Sequence, residues 1–451
     1  MDPVDIEILR AELDALVGEL EAERWRHVSG LEPAPAIGAI FDAHHRAAHR
    51  DTIAQLVARG EPDLASRVAA LRVERVQAEE EEAWREAEGE AHALGPDGPV
   101  ALDDAALALL GERDRGRRLA FGRAVAEASN LAAREAAVEK RARARSEVAL
   151  LPEWEAVVEA DLLLAGTDDG YRDVLGWLVR REAGLSLPPS GDLARADLLF
   201  ALALHGWDGL FPRGMLAIVL EKTAAPLRLE LGRVRIDDAS RRGAWPGAHA
   251  LGTRVSLRRQ GGATDYAGVF EAAGAALANA AAPPHRRAPA ASSTMGVLLA
   301  GLLQDPGFLA ARLDVERKHA GDLSRALALR QLFRLRARAA ALRVAAEVER
   351  GASGAAWHEA HRDALTAASL AAWPYGLAAR DADGGAHLAA LRGAARAEAL
   401  RRELVERCDT DWWKNPRSVP VLGDLLAAGG AWEREEPKLA LAGEGLLALM
   451  E

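Results

Sequence analysis

A mostly α fold is predicted for this chain, and three observations carry that expectation. Alanine, leucine, arginine and glutamate dominate its 451 residues from end to end, and these side chains lose little freedom on entering a helix. Aromatic residues, which favour strands, make up only 5%. Apolar residues recur at helical spacing from the start, whereas period-two alternation is confined to one short region.

The elements follow in order. Ile6, Leu9, Leu13, Leu16, Val17 and Leu20 share one face of an opening amphipathic helix over residues 5–26. A Pro/Gly break over 30–38 ends it. Two further helices are expected between Ile40 and Ala93, the second ending in the acidic run Glu79 to Glu82, read as a solvated face. Gly95-Pro96-Asp97-Gly98-Pro99 is a loop, and a third helical block covers 103–147, with Pro152 closing it. Helices continue to about Leu220, broken at 185–191 and at Pro212-Arg213-Gly214. Residues 227–236 then alternate apolar and charged side chains, predicting a strand, and Arg254 to Arg258 predicts a second with Val255 and Leu257 on one face. After Gly261-Gly262 a helix is expected from Asp265, then a Pro/Ala/Ser loop over 282–293, then long helices through Arg350, Leu370 and Glu406.

Length suggests more than one unit, since single cores level off at roughly 100–200 residues. The division expected is an N-terminal helical lobe, 1–150, and a second lobe, 151–451, holding helices and a small sheet within 227–258. The 57 basic and 68 acidic residues give a net charge of −11, which argues against non-specific attraction to nucleic acid or anionic membrane. No stretch approaches the roughly 18 apolar residues of a membrane span, and the acidic start lacks a signal-peptide pattern, so a cytoplasmic location is expected. The single Cys408 excludes an intrachain disulfide.

The most informative stretch is 265–277, Asp-Tyr-Ala-Gly-Val-Phe-Glu-Ala-Ala-Gly-Ala-Ala-Leu. By itself it could be a helix of small residues made for close packing. Its surroundings add more. Ile236-Asp237-Asp238-Ala239-Ser240-Arg241-Arg242, the strand at 254–258, Gly261-Gly262 and Asp265-Tyr266 lead into it. Ser292-Ser293-Thr294-Met295-Gly296 and Leu302-Leu303-Gln304-Asp305-Pro306-Gly307-Phe308-Leu309 follow, and Asp411-Trp412-Trp413-Lys414-Asn415-Pro416 and 422–429 close the chain.

This order resembles the thimet-type and oligoendopeptidase family of zinc metallopeptidases, the gluzincins, in which a strand and a glycine-rich turn lead into His-Glu-x-Gly-His. The resemblance implies a two-lobed helical fold with a deep channel and a small β-sheet beside the former active site. Gly274 keeps the motif's glycine, but the reagents are replaced. The first histidine position is Glu271, the general base Ala272, the second histidine Ala275, and the distant ligand glutamate Met295. Catalytic zinc takes three protein ligands and an open position, so the resemblance implies a lost zinc site and no cofactor. The family's late tyrosines are absent from 381–392, where Ala386, His387 and Ala390 stand instead; Tyr375 is the only late tyrosine. Possible channel-lining residues are Arg258, Asp265, Tyr266 and His387.

Other patterns have plainer explanations. His45 and His49 lie four apart on a predicted helix, with His44 beside them, but lack a third ligand and read as surface histidines. His358-Glu359-Ala360-His361 has the wrong frame for a zinc motif and reads as a solvated face. Arginines 325, 330, 334, 336, 338 and 343 accompany Leu323, Leu327, Leu332 and Leu342, which fits a salt-bridged or groove-facing helix better than nucleic-acid binding. Trp412 and Trp413 read as packing anchors. The expectation is therefore a catalytically inactive metallopeptidase homologue, a pseudoenzyme binding a peptide or protein partner in the channel. Two alternatives stand beside it: a hydrolase with an altered site using Glu271 with His285, His319 or His387, and a structural assembly subunit. Oligomeric state cannot be read from the chain.

Overall fold

The structure is a computed structural model and describes residues 5–148, 154–188, 193–239, 241–351, 353–427 and 435–451. The expected lobe boundary at 150/151, Pro152, the end of the break at 185–191, Ser240 and Gly429 lie outside the described residues.

Helix α1 (Ile6–Val28) begins where the Asp5 carboxylate accepts from the amides of Glu7 and Ile8, satisfying donors that a helix start leaves free. Its leucine face packs with Ile37, Phe41, Leu56, Leu64 and Val68 from α2 (Ile37–Ala43), α3 (Arg50–Ala58) and α4 (Pro62–Val76) into a core of its own. Four helices thus replace the two expected, α5 (Ala78–Glu90) being the last. One unforeseen break is set by Gly60, which takes φ +74, and by Pro62, preset for a helix start. The other, over 44–49, puts His44, His45 and His49 in a turn rather than on a helix; His45 and His49 are exposed.

The acidic run opens α5, where carboxylates complement the helix dipole, and it is not a solvated face. Glu81 is buried against Arg24 at 3.1 Å, Glu80 takes Lys140 at 2.6 Å, and Glu82 accepts from the Gly38 amide at 2.6 Å. The loop at 95–99 is the turn of a hairpin, β1 (His92–Gly95) with β2 (Gly98–Ala101). Helices α6 (Leu102–Gly111), α7 (Arg115–Ala128) and α8 (Ala132–Glu147) follow, with Asp114 capping α7.

Next come α9 (Trp154–Ala183), β3 (Leu193–Ala194), α10 (Arg195–Leu202) and α11 (Leu216–Ala224). The strand expected over 227–236 mostly fails. Arg228 takes φ +53, bending the chain out of any ladder, and residues 231–233 form a single 3-10 turn. Only β4 (Arg235–Asp237) is extended. An unforeseen strand, β5 (Gly247–Leu251), joins β6 (Arg254–Arg258), which has the expected bounds, in the order β4-β6-β5. β4 runs parallel to β6 and β5 antiparallel. Gly-Ala-His-Ala-Leu has no β-branched residue to announce a strand.

Helix α12 (Gly262–Ala281) lies beside this sheet. The loop expected over 282–293 is shorter, because α13 (Pro289–Gly301) starts with Pro289 in its first turn. Then follow α14 (Pro306–Leu313), the 33-residue α15 (Arg317–Glu349), α16 (Ala355–Ser369), β7 (Ala371–Ala372) pairing parallel with β3, α17 (Gly384–Cys408), α18 (Ser418–Ala427) and α19 (Ala440–Met450). The main core draws on α9 to α15 and α17 to α19, and Trp412 and Trp413 are buried in it, Trp413 edge-on to Phe308 at 5.2 Å. Among the described residues no single helix is long and apolar enough to cross a membrane. The architecture is mostly α with small sheets, as expected.

Candidate functional site

Helices α12 and α13 meet through glycine. A Cβ on Gly274 would stand 2.5 Å from the Met295 carbonyl oxygen, and one on Gly296 would stand 2.7 Å from the Glu271 carbonyl oxygen. Both neighbours are backbone and cannot turn aside, so this crossing requires the two glycines. α12 then offers three faces. Val269, Phe270, Ala273 and Leu277 enter the main core, Ala272 and Ala276 pack on Val255 of β6, and Glu271 and Ala275 share a half-exposed face.

Glu271 meets Arg334 of α15 from that third face. Arg334 Nη2 donates to Oε1 at 2.7 Å while Nη1 donates to Oε2. Burial alone would raise the Glu271 pKa, but Arg334 outweighs it and holds the carboxyl down at about 2. Glu271 correspondingly raises Arg334. One turn to either side on α15 stand Arg330 and Arg338, each brought down to about 10 by burial and by the Arg334 charge. Burial also lowers His249 of β5, with Glu271 acting in the opposite direction, and His387 of α17, with Arg338 adding to the fall.

A cavity of about 890 Å³ opens between the N-terminal helices and the β5 side of the sheet. Arg85, Glu88, Arg195, Trp245, His249 and Trp373 are among its walls. Arg85 lies over Trp245 at 4.3 Å and Arg195 over Trp373 at 4.7 Å, the geometry of cation–π contacts. Arg195 is drawn down to about 10 by burial and by Arg380. Sequence reasoning missed His249, Arg195 and Trp373, which no local motif marks.

The predicted positions separate. Ala272 is buried on the sheet, Ala275 is half-exposed, and Met295 is fully buried in the main core. Arg258 is spent on Asp103, Asp104 and the Ala244 carbonyl. Asp265 accepts from the Gln260 amide at 2.7 Å, and His387 Nε2 faces the Asp381 carbonyl at 2.7 Å. The Tyr266 hydroxyl donates to the Pro212 carbonyl at 2.8 Å, and burial pushes it up to about 12. Arg258, Asp265 and His387 thus touch residues of the cavity wall, Asp103, Gln260 and Asp381, without themselves being part of it.

His285 binds Asp14 at 2.9 Å, and His319 sits in the first turn of α15, roughly 22 Å along the helix from Arg334. The motif at 358–361 is not a solvated face: both histidines are buried, His358 stacked on Tyr375 at 4.9 Å and His361 on Asp381 at 3.0 Å. Tyr375, which follows α16, provides that ring.

Zinc does not fit these residues. Ala272 and Ala275 offer no donor atom, Glu271 already holds a guanidinium, and no group of three His, Cys, Asp or Glu among the described residues is arranged to take a metal.

The fold, a helical body with a small sheet behind a paired-helix crossing, is metallopeptidase-like by comparison with solved structures. Among solved structures the chain is similar to PZ peptidase A with inhibitor 2, at TM-score 0.54 and 10% identity, over 100% of this chain and 98% of that one. Trypanosoma cruzi metallocarboxypeptidase 1 matches at TM-score 0.47 and 12% identity, over 96% and 95%. At 10% identity the likeness to PZ peptidase A is one of fold alone. No family model matches the chain. No curated protein matches it.

Proposed function

We propose that this protein is a non-catalytic relative of the thimet-type and oligoendopeptidase peptidases, and that it binds a peptide or protein partner in its large cavity. The observation that carries the reading is the Glu271–Arg334 pair, which puts a guanidinium fork on the one carboxylate left at the former ligand positions. A zinc peptidase lowers the pKa of a metal-bound water to about 7 to make its nucleophile, and here the groups for that step are lacking. The cavity supports binding: it exceeds the lower limit of roughly 300 Å³ for ligand sites and mixes aromatic faces with charge. Elemental analysis of the purified protein and incubation with a mixed peptide library test the reading. Substoichiometric zinc, no chelator-sensitive cleavage and saturable retention of some peptides are expected. Stoichiometric zinc together with chelator-sensitive cleavage would overturn it.

A further inference from the structure

Among the described residues, two cations beside the Glu271–Arg334 pair have no carboxylate in hydrogen-bonding contact. Arg330, Arg334 and Arg338 recur every four residues on α15, so they form one stripe with roughly 6 Å of helix rise between neighbours. Both oxygens of Glu271 are taken by Arg334. Among the described residues Arg330 and Arg338 donate no hydrogen bond, and Arg330 Nη1 is shut off from solvent without an acceptor. Asp265, the other carboxylate that Arg330 feels, is occupied by the Gln260 amide; His387, near Arg338, faces the Asp381 carbonyl. Three positive charges therefore face two nearby carboxylates, of which only Glu271 is bonded to the stripe, in a setting where buried donors are normally satisfied.

We propose that Arg330, Arg334 and Arg338 form a binding site for a small oxyanion, a carboxylate or a phosphate, beside the position of the first former metal ligand. The guanidinium fork matches two oxygens of either group. Glu271 is the internal competitor, holding Arg334 until a ligand oxyanion shares it. The ligand approaches from the half-exposed side, where the Arg334 and Glu271 side chains keep 31% and 20% exposure. The small space behind, with Gln304, Arg330, Gln331 and Arg334 in its lining, is only about 20 Å³ and suits a water. This site does not depend on the peptide reading.

Calorimetric titration of the full chain with inorganic phosphate and, separately, with succinate in chloride-free buffer tests it. Saturable one-site binding of at least one anion is expected, and which anion binds identifies the class. Affinity falls by about tenfold in Arg330→Gln and in Arg338→Gln, the loss of one charge-assisted contact. Thermal midpoints of these variants stay level or rise, which separates lost binding from lost folding. Glu271→Gln frees Arg334 and tightens binding. Absence of saturable binding in the wild type, or unchanged affinity in both arginine variants, overturns the proposal.

Discussion

Arg336 and Arg338 stand two residues apart on α15 and live in opposite circumstances. Arg336 is 2% exposed and fully satisfied: it donates to the Ala368 and Leu164 carbonyls, to Thr167 Oγ1 and to Asp168 Oδ1, each at 2.8 Å, and lies over the Tyr171 ring. Arg118 in the N-terminal helices is built the same way, around Asp197 and the carbonyls of Glu112 and Arg113. On the flank toward α12, Arg330 and Arg338 have no such set among the described residues. A helix that saturates one buried arginine and leaves its neighbours open separates a structural face from one available to a ligand.

The largest expected effect is on the saturated side. Arg336→Met strands two carbonyls, Thr167 and Asp168, and should cost about 3–5 kcal/mol in urea unfolding; a loss near zero would erase the contrast. Gly274→Ala comes next, at about 2–3 kcal/mol, because the added methyl meets the Met295 carbonyl oxygen and the Gly296 Cα, both backbone. An unchanged thermal midpoint would mean that α12 and α13 can part freely, with Glu271 not held in register against Arg334.

Glu271→Gln should cost about 2 kcal/mol at neutral pH by leaving Arg334 unpaired. The carboxyl is depressed from 4.5 to about 2, so its contribution is present above about pH 4.5 and is lost as pH falls toward 2. Wild type and variant should therefore converge in acid unfolding, and a constant gap would refute the pairing. The smallest effect has the opposite sign. Burial lowers Arg338 from the usual guanidinium range to about 10, so its charge penalises the fold below about pH 10 and the penalty fades as pH rises above that. Arg338→Gln should accordingly stabilise by about 1 kcal/mol at neutral pH; destabilisation would reveal a partner and place Arg338 with Arg336.

Local regularity was legible where one repeating physical rule governed it. The leucine spacing of α1, the bounds of β6 and the packing of the tryptophan pair follow from periodicity and size. Alternation over 227–236 misled because a positive φ at Arg228 breaks extension without altering the apolar–charged pattern. The acidic run and the histidines at 358 and 361 looked solvated because their partners, Arg24, Lys140, Glu135 and Asp381, come from elsewhere in the chain. At the candidate site, the four-residue spacing of Arg330, Arg334 and Arg338 was visible, but not that only the middle one meets a carboxylate.

The sequence by itself determined the helical character, the glycine at 274, and the lack of donor atoms at Ala272 and Ala275, since propensity and side-chain chemistry belong to each residue wherever it lies. Tertiary structure alone decided that Glu271 meets Arg334, 63 residues away, and that Arg330 and Arg338 meet nothing comparable among the described residues. Charge pairing falls off over a few ångströms, so it depends on how α12 and α15 pack, a distance that no local pattern encodes.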